Sequence, residues 1–179
     1  MLVQAAPASE VRRSAGKAAD AVLAAEALVS GETLQEVTEV AVIRHPQQGV
    51  LLLHSPRRRW HFPDATVRVY EAWETSLRRG VESDTGITDL GILSVLRIQN
   101  FAPGIVHERA QYGVFFLCTT GASLIRLGAG YDQWCWVKQR DELARLELFH
   151  RLVEELAVQA LGLPMPAEPL QGSLGGGSP

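Results

Sequence analysis

Glu71, Arg79, Gly80 and Asp84 frame the chemistry that this chain could perform. Residues four apart lie on one face of a helix, so acids at positions 80 and 84 would grip one divalent cation between them. A cation held in that way neutralises charge on an anionic substrate and activates or orients water for attack. One turn of the expected helix separates Gly80 from Asp84, and only the second of them is an acid. Gly80 offers no ligand, and glycine inside a helix costs about 1 kcal/mol relative to alanine. Glu82 does not replace it. At about 100° per residue it points about 160° away from Asp84, onto a solvated face within reach of Arg78 as an i, i+4 pair. Glu71 heads the expected helix, where the dipole favours a carboxylate with or without metal. With Arg79 it reads either as part of a metal site or as a brace between loop and helix. Mg²⁺ needs only one or two protein carboxylates when phosphates complete its shell. Asp84 and Glu71 are the acids that this stretch offers to such an ion.

A run of three cations, Arg57, Arg58 and Arg59, lies just upstream. Arginine forks match phosphate oxygens, so the run reads as a phosphate holder or as a solvated loop that keeps a sheet edge soluble. His54, His61 and His107 have no ligand-type spacing; His61 stands out for its position beside the candidate site. Tyr70, Trp73 and Tyr112 are able to stack on a base, although aromatic residues in such elements more often belong to a core. No Lys-Ser/Thr follows Gly121, Gly128 or Gly130, so no phosphate-cradling P-loop is present.

The elements that must position these residues follow from periodicity. Residues 9–29 read as a helix, capped by Ser9 and striped by Val11, Ala15, Ala18, Val22, Ala25 and Val29. That narrow stripe suits packing on the main domain or on a second copy of itself. Strands are expected over 37–44 and 50–54, joined by a hairpin loop, with a short strand over 65–69. The candidate helix spans 71–84. Strands at 90–101, 110–119 and 131–137 follow, then a single helix over 141–161 whose leucines would cover a sheet. Strands, helix, strands, helix is the order of an α+β sandwich with a mixed sheet between helices. Three segments result: an N-terminal helical extension (1–34), a main domain (35–162) and a Pro/Gly-rich tail (163–179) expected to be disordered.

The stretch from Trp60 to Ile87 resembles the Nudix box, G-x5-E-x7-R-E-U-x-E-E-x-G-U with U aliphatic, usually preceded by an aromatic-Pro-Gly step. Phe62-Pro63-Asp64 stands in the preceding step and Ala65 in the first Gly position. Glu71, Arg79, Val81, Gly86 and Ile87 match the pattern; Gly80 and Ser83 replace two glutamates, and Asp84 shortens a third. Trp136-Val137 before Asp141-Glu142-Leu143 is similar to the strand and helix that usually end the family's domain. The resemblance covers roughly residues 35–161. It implies a Nudix-like α/β/α sandwich with an extra N-terminal helix. It also implies glutamates that hold Mg²⁺ against a nucleoside diphosphate linkage. By that resemblance Arg57, Arg58, Arg59 and Arg79 are the candidate substrate-binding residues and Glu71 and Asp84 the candidate catalytic ones; Asp84, Glu71 and a later acid, Glu108 or Asp132, are the candidate ligands for Mg²⁺ or Mn²⁺.

Composition bounds the rest. The chain has 179 residues, 46% hydrophobic and 21% charged, enough for one domain with a sizeable core. Mean hydropathy is +0.03. A net charge of −3 argues against general nucleic-acid binding, which needs a basic surface. Cys118 and Cys135 lie in apolar runs without a C-x-x-C partner, which disfavours structural zinc and fits a reduced, cytoplasmic compartment. No apolar run reaches membrane-spanning length, and no secretory signal is readable. Three functional readings follow. The chain is a Nudix-type protein with weak or no hydrolase activity that binds a nucleotide or a protein; or an active hydrolase with an altered metal site; or a homodimeric scaffold joined through the N-terminal helix.

Overall fold

A computed structural model describes residues 36–68, 71–101 and 111–162. The expected helix over 9–29, the tail from 163, Tyr70, His107 and Glu108 lie outside the described residues.

The described strands are β1 (Glu36–His45), β2 (Gly49–Ser55), β3 (Arg59–His61), β4 (Asp64–Thr66), β5 (Gly91–Phe101), β6 (Gln111–Thr119) and β7 (Gln133–Val137). The helices are α1 (Trp73–Thr85), between β4 and β5, then α2 (Arg140–Leu143) and α3 (Arg151–Gly162). The strands form one mixed sheet: β1 and β6 are parallel along their whole length, and β5 returns antiparallel on β6. β1 and β2 share only two paired positions beside their turn, Arg44 with Val50 and His45 with Gly49. Beyond that point they part. β1 takes β4 as its neighbour, and β2 pairs with β3 and β7.

Side chains alternate across a strand, so a strand buried on both faces reads as a continuous apolar run. Ala41, Ile43, Leu51, Leu53, Phe116 and Cys118 pack under Leu77 and Val81 of α1. Their neighbours Val42, Val50, Leu52, Phe115 and Leu117 face Leu156, Ala157 and Ala160 of α3. Leu77 and Leu156 are completely buried, each a gain of about 1.5–3 kcal/mol from apolar burial. The expected sandwich, a mixed sheet with a helix on each face, is what forms.

The expected single helix over 141–161 is instead two, broken between Leu143 and Arg151. The backbone in the gap is engaged elsewhere. Trp60 donates to the Glu147 carbonyl at 3.2 Å and accepts from the Phe149 amide at 2.9 Å, so Leu148 bridges to the middle of β3. These bonds take groups that a continuous helix would keep for itself. The His150 imidazole then accepts the Leu152 amide at 3.0 Å and caps the restart. No helix among the described residues is long and apolar enough to cross a membrane.

Candidate functional site

Helix α1 is fixed by its apolar face and its ends. Trp73 lies flat on Phe116, with ring centroids 4.9 Å apart. Gly86 closes the helix at φ 71°, donating to the Glu82 carbonyl at 2.8 Å, a left-handed cap that glycine adopts without strain. The loop before β7 then satisfies the last carbonyls: Arg126 donates to Thr85 at 2.8 Å and Gly128 to Asp84 at 3.0 Å. This docking brings Tyr131 over the end of the helix.

Gly80 is buried where α1 crosses β4. A Cβ there would stand 2.4 Å from the Ala65 Cβ and 3.0 Å from the Asp64 carbonyl oxygen. The two departures at positions 65 and 80 are therefore complementary. The methyl group that Ala65 adds fills the room a side chain at 80 would need.

The helix begins at Trp73, so Glu71 lies outside it. The Glu71 carboxylate is forked by Arg79, Nε to Oε1 at 2.8 Å and Nη2 to Oε2 at 2.9 Å, and accepts the Arg68 amide at 3.3 Å. Arg79 also reaches the Thr66 carbonyl at 3.2 Å and Ser76 Oγ at 3.3 Å. The Arg79 fork holds the Glu71 carboxyl below the usual range. Arg78 pairs with Glu74 at 2.8 Å, one turn earlier, and not with Glu82, which is exposed.

The other helix carboxylate lies in different surroundings. Asp84 lines a cleft of about 1240 Å³ together with Asp64, Arg58, Arg57, His61 and Tyr131. Tyr131 Oη donates to Asp84 Oδ2 at 2.8 Å. Burial pushes the Asp84 carboxyl up to about 6; the Asp64 charge adds to the rise, while the Tyr131 bond and the Arg58 charge oppose it. Asp64 is forked by Arg58, Nη1 to Oδ2 at 2.7 Å and Nη2 to Oδ1 at 2.9 Å. His61 is buried; its ring contacts the Phe62 carbonyl at 2.8 Å, and burial followed by the Arg58 charge lowers its pKa, which favours the neutral ring. Tyr112, Phe115 and Phe149 contribute aromatic surface to the same cleft.

The expected site residues thus separate. Asp84, Arg57 and Arg58 share the cleft, whereas Glu71 and Arg79 form their own pair. Arg59 turns to Glu147 at 2.6 Å from a left-handed backbone at φ 60°. Asp132 pairs with His54 at 2.5 Å. Trp73 and Cys118 belong to or pack on the core.

Two residues of the cleft escaped sequence reasoning. Tyr131 carried no local signal, being 47 residues from Asp84. Asp64 did carry one, a carboxylate where the motif's lead-in has glycine. Glu39, almost fully buried on β1, was also missed; its charge helps hold Arg79 protonated.

Among the described residues, the pair of acids one helical turn apart that would grip a divalent ion is incomplete. Position 80 has neither a side chain nor room for one, and Glu71 is committed to Arg79. Among the described residues no group of three or more His, Cys, Asp or Glu side chains gathers to hold a metal.

No family model matches the sequence, and no curated protein matches it. Solved structures do resemble it. A hydrolase of the NUDIX family from Clostridium perfringens aligns with TM-score 0.60 at 12% identity, covering 70% of this chain and 95% of that one. The NUDIX domain of Shewanella oneidensis NrtR, complexed with ADP ribose, gives 0.58 at 19%, over 76% and 95%. The MutT protein from Methanosarcina mazei Go1 gives 0.57 at 18%, over 69% and 91%. Identities this low speak for architecture and nothing finer: the chain has the Nudix fold.

Proposed function

We propose that this chain binds a nucleotide or related diphosphate ligand in the cleft beside Asp84 and hydrolyses it weakly or not at all. The observation that carries the reading is the Gly80–Ala65 contact, where a Cβ at residue 80 would meet that of Ala65 at 2.4 Å. That crowding leaves little room for a carboxylate one turn before Asp84, which supports a reading without the two-pronged grip on a cation. What is left favours binding. The cleft joins aromatic surface, suited to a base, to the cations Arg57 and Arg58, suited to phosphates. ADP ribose, the ligand of the NrtR domain, is the first probe to try.

Two measurements test this. In thermal unfolding with ADP ribose, ADP and inorganic phosphate, a ligand that prefers the folded state raises the midpoint by mass action. A rise with ADP ribose or ADP is expected. In a turnover assay over nucleoside diphosphate compounds with Mg²⁺ or Mn²⁺, little or no product is expected. Robust metal-dependent cleavage abolished by Asp84→Ala would establish an active hydrolase with a rebuilt site instead.

A further inference from the structure

We infer that Arg58 is a resident cation of the cleft, taking over the charge-neutralising role of a divalent ion so that a diphosphate binds without metal. This rests on the ligand-binding reading above and adds how the anion is received.

The starting point is an electrostatic problem. Asp64 and Asp84 present two carboxylates to one cleft, and like charges in partly desolvated surroundings repel an incoming diphosphate. A binding site built there needs a cation between protein and ligand. A divalent ion would need acids that are free to turn toward it. Here both are engaged: Asp64 lies in the Arg58 fork, at 2.7 and 2.9 Å, and Asp84 accepts the Tyr131 hydroxyl at 2.8 Å.

The fork satisfies both Asp64 oxygens through the two Nη atoms of Arg58. A guanidinium carries five N–H donors, so the fork leaves others for a ligand. The Arg58 side chain keeps 38% of its surface exposed, and it lines the cleft. It is therefore anchored on one edge and open on another. That is the arrangement in which arginine binds phosphate with least loss of freedom, since its planar fork is already oriented. Arg57 lines the same cleft, is exposed, and makes no ion pair among the described residues, so a second charge stands beside the first.

The test is calorimetric titration of the full chain with ADP ribose, in EDTA and separately in Mg²⁺. Wild type is expected to bind with affinities equal within about threefold in the two buffers, a difference under 1 kcal/mol. Arg58→Gln is expected to bind at least about tenfold more weakly in EDTA and to regain affinity when Mg²⁺ is added, because Asp64, freed of the fork, then accepts the ion. Arg58→Lys restores charge but not the fork, and should fall between. A merely structural role for Arg58 would not create a Mg²⁺ response. Wild-type binding that strengthens more than about tenfold with Mg²⁺ overturns the inference and leaves ligand binding intact. No binding in either buffer overturns both. Should Arg58→Gln not fold, the wild-type pair of titrations still decides.

Discussion

Two arginine forks flank helix α1, and on paper they are the same interaction. Arg79 grips Glu71 at 2.8 Å with side chains 34% and 14% exposed; Arg58 grips Asp64 at 2.7 Å with 38% and 19%. What separates them is what each faces. The Arg79 fork faces the protein itself: Nη2 also reaches the Thr66 carbonyl and Ser76 Oγ, and the Arg68 amide donates to the same Glu71 carboxylate. The Arg58 fork faces a second carboxylate, Asp84, and an open cleft. Geometry and exposure alone therefore do not distinguish a brace from a binding group.

The most severe way to break this contrast is to put back the missing acid. Gly80→Glu should lower stability by about 3 kcal/mol or more, the upper range for forcing a side chain into a packed site, since its Cβ would stand 2.4 Å from that of Ala65. Adding Ala65→Gly should recover more than half of the loss, a coupling that a double-mutant cycle in urea measures directly. A stable single variant with metal-dependent turnover would show that packing does not keep the carboxylate out.

Crossing the two forks sharpens the distinction further. Arg79→Gln should lower the thermal midpoint and leave ADP ribose affinity unchanged. Arg58→Gln should do the reverse, with the smaller change in midpoint and the larger in affinity. Equal effects of both variants on both readouts would erase the difference between brace and binding group.

The forks differ too in how legible they were. Glu71 and Arg79 lie eight residues apart and were readable as a brace, because they are opposite charges at the junction of a loop with its helix. The strands were readable from sequence as well: Val40, Val42 and Ile43, or Val114 to Leu117, carry apolar residues on both faces. Contacts between distant segments were not. Nothing near Glu147 signals that its backbone pairs with Trp60, so the helix expected over 141–161 runs through a gap that tertiary pairing opens. Arg78 had acids at both i−4 and i+4, and the choice of Glu74 over Glu82 is not local information. Gly80 read as a lost ligand in a weakened helix. Its other meaning, room for Ala65, requires knowing that β4 crosses beneath.

The two box carboxylates should also respond to pH in opposite directions. Glu71 has a lowered pKa through Arg79. Its contribution to stability is present above the ordinary carboxylate value of 4.5 and is lost as pH falls through its folded value. Asp84 is raised from 3.8 to about 6. The folded state therefore binds the proton more tightly than the unfolded chain does. Stability from this group is fully present below 3.8 and is lost as pH rises through about 6. In urea titrations between pH 3 and 8, Asp84→Asn should remove a decline on the neutral side, and Glu71→Gln should remove one on the acid side. The same slope change from both variants would mean that the carboxylates share one environment.

The smallest effect concerns the hydroxyl that sets Asp84 apart. Tyr131 is kept protonated, its pKa raised by burial and then by the Asp84 charge, so it remains a donor throughout the range in which Asp84 titrates. Tyr131→Phe removes a bond that favours the ionised carboxylate while leaving burial and the Asp64 charge in place. The stability change should be about 1 kcal/mol, the usual net worth of one hydrogen bond. The more informative readout is the Asp84 carboxyl carbon followed by NMR, identified by its absence in Asp84→Asn. Its midpoint should move above the present value of about 6. No movement would mean that burial and Asp64 alone set the titration, and Tyr131 would then cover the helix end without holding the acid. Glu71 provides the control: its proton is governed by a cation, and a hydroxyl lost from the cleft should leave its titration where it was.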